Sequence, residues 1–294
     1  MAIKINWKDL SKRIINGKEV EKVMLNGVQI RPDSPVPPTP FIPDGFHMAT
    51  IHEWQTFLSY MSYIGAIDNS SSAGATSMGA FIYLKIPPIW YINSANNSIT
   101  LAWESAILCT PYSIFTYEAW RGFIIAQTIK LYTNSWYSIS IFDSTANWYS
   151  IRLTKDVAVQ PDSSWVTLWT STTAYQWWIY WNPSLWLITL SYKSSGGGSF
   201  KYITIQDKNL WATTVYDYDT MWTSNIDSDC IGWLYQWGNC HGFEYGWDYE
   251  TSTTLVNASW YGKYEYSSDV FIINNWYPTY WQQFNESTYN NNLW

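Results

Sequence analysis

The chain has 294 residues, of which 47% are hydrophobic, 19% aromatic and only 13% charged, with a net charge of −7. The length predicts about two domains with their own cores, and the acidic balance argues against nucleic acid as a partner. No apolar run reaches the roughly 18 residues of a membrane span, and the opening MAIKINWKDL has no apolar h-region, so no classical signal peptide is expected.

Residues 1–32 hold seven Lys/Arg against three acids, so a basic segment precedes an acidic remainder. INWKDLSKRIIN (5–16) reads as a short amphipathic helix. EVEKVMLNGVQIRP alternates apolar and polar residues around Asn26-Gly27, the strongest short hairpin signal. One helix plus one hairpin has too little core to stand alone. Residues 1–31 are therefore expected to dock on a larger tail or envelope assembly, or to form a homotrimer. PDSPVPPTPFIP (32–43), with six prolines in twelve residues, reads as a stiff extended linker.

A first module is expected over 44–157. Thr50 followed by Glu53 is a capping box, and Trp54, Phe57, Leu58 and Met61 then line one helical face. AFIYLKI, WRGFIIAQTIKLY, SISIF and YSIRLTK read as short strands, which makes the class α+β and β-rich. A second module is expected over 158–294. There SWVTLW, WIYW, LWLITLSY and FKYITIQD read as strands, KSSGGGS as a hairpin loop, and the tail from 217 as long loops packed by aromatics. Cys109, Cys230 and Cys240 are too few for a disulfide framework. They read as buried thiols, with a Cys230–Cys240 bridge as the alternative.

Candidate chemistry is sparse. His47, His52 and Glu53 lie close together, but the zincin spacing is absent and His47 reads as structural. Asn225, Asp227 and Asp229 alternate like the start of an EF-hand, yet Cys230 and Gln236 stand where that loop needs Gly and Glu. A looser Ca²⁺ site from Asp217, Asp219, Asp227 and Asp229 is the one metal candidate, set against a plain solvated loop. Gln160-Pro161-Asp162 matches a sugar-binding triplet of lectins without its Trp-Asn-Asp partner, and reads as coincidence. Asn96, Asn257 and Asn285 head N-x-S triplets that a chain so rich in Asn and Ser produces freely. No nucleophile elbow, phosphate loop or Cys-His pair is present, so no enzyme is expected. WGNCHGFEYGWDYE offers Trp237, Asn239, Tyr245, Trp247 and Tyr249 as ligand contacts, combining aromatic platforms with an amide. The competing reading makes Trp237 and Asn239 core and loop-bracing residues.

PDGFHMATIHEW (43–54) resembles the block that opens the main helix of the Fibrobacter succinogenes major paralogous domain, with Gly45, His47, Thr50, Glu53 and Trp54 at matching positions. YLKIPPIWY and NWYSIRLTKD, the latter containing Arg152, resemble later blocks of that family. YITIQDKNLWATTVYDY, containing Asn209, and LYQWGNCHGF resemble its front half. The resemblance implies a C-type-lectin-like fold, also used by tail-fibre receptor binders. Because a back-half block here precedes a front-half block, the chain holds either tandem related modules, the favoured arrangement, or permuted halves of one fold. It also implies a non-enzymatic surface-recognition protein on a virion or cell surface that binds glycan or protein receptors. A structural virion or envelope protein without a ligand is the alternative.

The tryptophans raise a separate question. There are 22 Trp against 15 Gly, and WWIYWNPSLW (177–186) packs four around an Asn-Pro turn. Trp90, Trp148 and Trp211 fall where the resembling family has glycine, and Trp103, Trp136, Trp169 and Trp186 sit in turn-like or strand-junction contexts that favour it. The reading is that UGA codons specifying glycine have been written as tryptophan. The alternative is a Trp-rich binding surface.

Overall fold

The computed structural model describes residues 14–15, 18–19, 23–25, 28–30, 41–67, 75–88, 92–93, 98–99, 105–118, 121–132, 138–144, 148–171, 176–193, 198–221, 228–244, 249–261, 264–272, 274–277 and 280–282. The chain divides into two compact units, Met1–Pro38 and Thr39–Trp294.

In the first unit, β1 (Ile14–Ile15) pairs with β2 (Lys18–Glu19), and β3 (Val23–Leu25) pairs with β4 (Val28–Ile30). The second hairpin closes with Leu25 opposite Val28, as the Asn-Gly turn requires. The helix expected over 5–16 gives way to a strand at its last apolar pair, Ile14-Ile15, where β-branched side chains favour extended backbone. Its earlier residues lie outside the described ones.

The second unit runs β5 (Phe46–Met48), α1 (Ile51–Ile67), α2 (Ala75–Tyr83), β6 (Ile92–Asn93), β7 (Ser98–Ile99), β8 (Ser105–Glu118), β9 (Arg121–Tyr132), β10 (Ser138–Ser144), β11 (Trp148–Ser150), β12 (Leu153–Lys155), β13 (Val166–Thr170), β14 (Trp177–Asn182), β15 (Leu187–Tyr192) and β16 (Lys201–Gln206). It continues with α3 (Tyr218–Met221), β17 (Trp233–Gln236), β18 (Gly242–Glu244), β19 (Glu250–Ser252) and β20 (Val270–Ile272), and ends with a short hairpin. The unit is α+β and β-rich.

AFIYLKI departs from expectation. Ala80–Tyr83 end helix α2, and Leu84 N still donates to Ala80 O at 3.1 Å. A seven-residue apolar run carries no period that separates a strand from a buried helix. Gly79 decides it in space, because a Cβ there would meet Met61 of α1 at 3.4 Å, so the two helices pack closely.

Two six-stranded sheets dominate, with orders β10-β9-β8-β11-β17-β18 and β13-β14-β15-β16-β12-β5. Each draws strands from both sides of residue 157. The boundary expected at 157/158 therefore falls within shared sheets, which strands from both halves complete. The physical reason is pairing. β11 and β12, at the end of the first half, hydrogen-bond to β17 and β16 of the second.

Alternation along β8 shows how the cores form. Ala106 and Leu108 face one core with Trp54, Phe57, Leu58, Met61, Ile188 and Ile205, whereas Ile107 and Cys109 face another with Tyr149, Leu210, Tyr235 and Trp237. The β8–β9 register shifts between Cys109 and Ser113, where Pro111 has no N–H to give the ladder. All three cysteines are buried and none is in a disulfide.

Candidate functional site

Strand β5 and the start of α1 place the first cluster. Gly45 takes a φ of +78°, which glycine adopts without strain, and turns the chain into β5. His47 stands opposite Thr154 of β12, so its ring reaches both the neighbouring Asp156 and the first turn of α1. Nδ1 lies 2.8 Å from Asp156 Oδ1 and Nε2 lies 3.0 Å from Glu53 Oε1. Carboxylate oxygens only accept, so both contacts are hydrogen bonds together only when both ring nitrogens carry protons, which favours the imidazolium.

Glu53 closes the expected capping box. Its Oε2 accepts from Thr50 N and Thr50 Oγ1, each at 2.8 Å, while Glu53 N donates to Thr50 Oγ1 at 3.3 Å. The hydrogen bond to Glu53 raises the His47 pKa above its ordinary 6.5, and Asp156 adds to this against the opposing effect of burial. Burial pushes Glu53 upward, but hydrogen bonds from His47 and Thr50 outweigh it and leave the pKa below 4.5.

The stability from this pair has two limits. Raised His47 contributes fully below its unfolded value and is lost as pH climbs through its folded value. Depressed Glu53 contributes above its ordinary value and is lost as pH falls through its folded one. The melting temperature is therefore expected to fall by a few degrees between about pH 6 and about pH 8. Thermal melts of His47→Gln should show that decline abolished; an unchanged slope would place its origin elsewhere.

A second cluster surrounds Arg152, which is wholly buried after β11. Nε donates to Asn209 Oδ1 at 2.8 Å, Nη1 to Leu84 O at 2.9 Å and Gln206 O at 3.0 Å, and Nη2 to Lys85 O at 2.6 Å. Asn209 Nδ2 passes the connection on to Ile231 O at 3.0 Å. One guanidinium thus ties the end of α2, β16 and the approach to β17 together. Burial lowers its pKa from 12.5 to about 9, with the Asp207 charge acting in the opposite direction, so it stays charged at neutral pH. Asp207 is itself raised by burial, and the Trp181 indole N–H at 2.8 Å works against that rise. Trp54, 1% exposed, anchors α1 in the first core. Gly45, His47, Thr50, Glu53, Trp54, Arg152 and Asn209 are therefore framework residues.

The expected recognition loop is drawn inward at its start. Trp237 and Asn239 are fully buried. Asn239 Nδ2 donates to Ser268 O at 2.9 Å, and its Oδ1 accepts from Ser268 N and His241 N, each at 3.0 Å. Asn239 thus braces the loops at His241 and Ser268, and Trp237 fills the second core. The amide geometry that suits Asn239 to a ligand suits it equally to a buried backbone. Tyr249 is half-buried, stacks edge-on against Phe243 and donates its hydroxyl to Glu244 O. Tyr245 and Trp247 lie outside the described residues.

Three of the four acidic candidates are among the described residues. Asp217 caps α3, accepting from Asp219 N at 3.3 Å and Thr220 Oγ1 at 2.9 Å. Asp219 and Asp229 are exposed, and Asp227 lies outside the described residues. Among the described residues no group of three or more His, Cys, Asp or Glu is placed to hold a metal ion. Burial pushes the Cys240 thiol up to about 12, which leaves it unreactive.

Two features escape a reading of sequence alone. Asp156 is the second partner of His47, and its only signal is its place at the end of NWYSIRLTKD. Trp260 is 77% exposed on a single 3-10 turn, Ala258–Trp260. That turn is held by Asn257 Oδ1, which accepts from Ser259 N at 3.3 Å and Ser259 Oγ at 2.8 Å, and by fully buried Ala258. Tyr261 next to it stacks edge-on against Tyr266. The Asn-x-Ser spacing that heads a sequon is here an Asx turn.

No family model, curated protein or solved structure matches this chain. No described helix is long and apolar enough to cross a membrane.

Proposed function

We propose that this is a non-enzymatic surface-recognition protein of the phage tail-fibre or cell-surface adhesin type, built on a C-type-lectin-like framework. It binds glycan or protein receptors of a host or neighbouring cell through loops on that framework. Residues 1–31 attach it to a larger assembly, with trimerisation multiplying weak single sites into avidity.

The observation that carries this reading is Trp260. An indole held 77% in solvent on a capped turn is a rigid apolar platform with a polar N–H at its edge. Such a surface stacks on a sugar face or an aliphatic receptor side chain with little ordering cost. The polar groups around Arg152 and Asn239, by contrast, are consumed by the framework.

The test is binding of the recombinant full chain to a glycan array and to intact candidate cells. Trp260→Ala should weaken the interaction by about tenfold, equivalent to about 1.4 kcal/mol, with little change in melting temperature because the side chain is 77% exposed. A silent array together with stable co-assembly with tail or envelope proteins would support a structural role instead.

A further inference from the structure

We infer that codons 186 and 211 of the gene are UGA, that UGA specifies glycine in the organism that makes this protein, and that the natural chain carries glycine at both positions. The inference rests on two backbone turns and is independent of the recognition function.

Among the described residues eight take a left-handed φ. Four are glycines (Gly45, Gly198, Gly232 and Gly238), and the others are Lys85, Trp186, Trp211 and Tyr264. None of the eight is Asn or Asp, whose short polar side chains tolerate that region. A bulky side chain there is an outlier.

The turns at the two tryptophans are both built for glycine. Between β14 and β15, Leu185 N donates to Asn182 O at 3.2 Å, and Asn182 Oδ1 accepts from Ser184 N and Leu185 N. That is a type I turn with Pro183 at its second position. The next residue must swing left-handed to bring Leu187 back opposite Asn182, and it is Trp186 at φ +60°. Its carbonyl then accepts from Asp207 N at 3.0 Å, which fixes the conformation. In the second turn, Ala212 N donates to Asn209 O at 3.0 Å, and the third residue, Trp211, has φ +62°. A positive φ at the third position is the type II signature, which calls for glycine.

Two turns of different type, in different sheets' connections, thus place tryptophan where the backbone selects the residue with no Cβ. The composition points the same way, with 22 Trp and 15 Gly in one chain. UGA differs from the tryptophan codon UGG at one base and is read differently in different genetic codes, so a UGA that specifies glycine would be written as tryptophan under a code that reads it so. Trp54 and Trp237 behave differently: both fill buried core positions at ordinary backbone angles, and they are genuine tryptophans. Trp260 also lies outside the left-handed region, so the turn argument leaves it in place as a platform. The 43% exposed ring of Trp186, with the Lys208 ammonium 3.9 Å from its centroid, drops out as a ligand surface.

The test reads both messages. Genomic DNA gives codons 186 and 211, and fragment mass spectra of the protein isolated from its natural source give the residues, with Trp54 and Trp237 as internal controls. UGA codons with glycine at both positions, and tryptophan at both controls, are the expected result. Tryptophan at either 186 or 211 in the natural protein would overturn the inference.

Discussion

Replacing Arg152 by Ala is expected to cost the second unit about 4–5 kcal/mol, a large part of the stability of an ordinary domain, and so to lower the urea midpoint strongly. The variant removes the donors to Leu84 O, Lys85 O, Gln206 O and Asn209 Oδ1 at one stroke. An unmade hydrogen bond at a buried acceptor costs about 1–3 kcal/mol, because the oxygen has already left water. The Asn209 side chain also loses the partner that orients it, and with it the hold on Ile231 O. Arg152→Lys should recover less than half of the loss. An ammonium is a point donor on a flexible stem and cannot span four acceptors held by a planar fork. Urea midpoints for both variants decide the matter; a cost under about 1 kcal/mol for Arg152→Ala would mean that water replaces the guanidinium.

That network also shows what sequence reasoning could reach. α1 was legible because its signals are local: Thr50 and Glu53 lie three residues apart, and Trp54, Phe57, Leu58 and Met61 repeat at helical spacing. The β3–β4 hairpin was legible for the same reason, through Asn26-Gly27, whereas the β1–β2 hairpin begins where a helix was expected. The partners of Arg152 lie 57 and 68 residues away and are mostly backbone carbonyls, which carry no residue-type signal. The shared sheets were equally hidden. Nothing in YSIRLTK says that β11 will pair with β17 and β12 with β16, since strand pairing depends on distant partners. Trp237 and Asn239 illustrate the remaining ambiguity: an aromatic next to an amide has the same composition whether it faces a ligand or a buried loop. Trp186 and Trp211 were suspect from context, but only the sign of φ turned suspicion into a physical argument.

The crossing at Gly232 yields the second large effect. Gly232 has φ +72°, and a Cβ there would lie 2.5 Å from Leu210 O, 3.0 Å from Ala212 N and 3.3 Å from Asn209 Cβ. The first two are backbone atoms already committed: Leu210 O accepts from Trp233 N at 3.1 Å, and Ala212 N closes the turn to Asn209 O. Neither can retreat without opening the turn that presents Asn209 to Arg152. Gly232→Ala therefore combines the left-handed penalty of about 1–2 kcal/mol with an overlap that no side-chain rotation relieves, and about 3–4 kcal/mol in total is expected. Gly198→Ala is the matched control. Gly198 also has a positive φ, +114°, yet among the described residues nothing lies within 4 Å of its Cβ position, so it should lose only the backbone part. Equal losses for the two variants would show that the 209–212 turn yields, and the rigid tie between the Arg152 network and β17 would have to be abandoned. A markedly larger loss at Gly232 makes that crossing the point where β17, and the braced loops beyond it, are fastened to the framework.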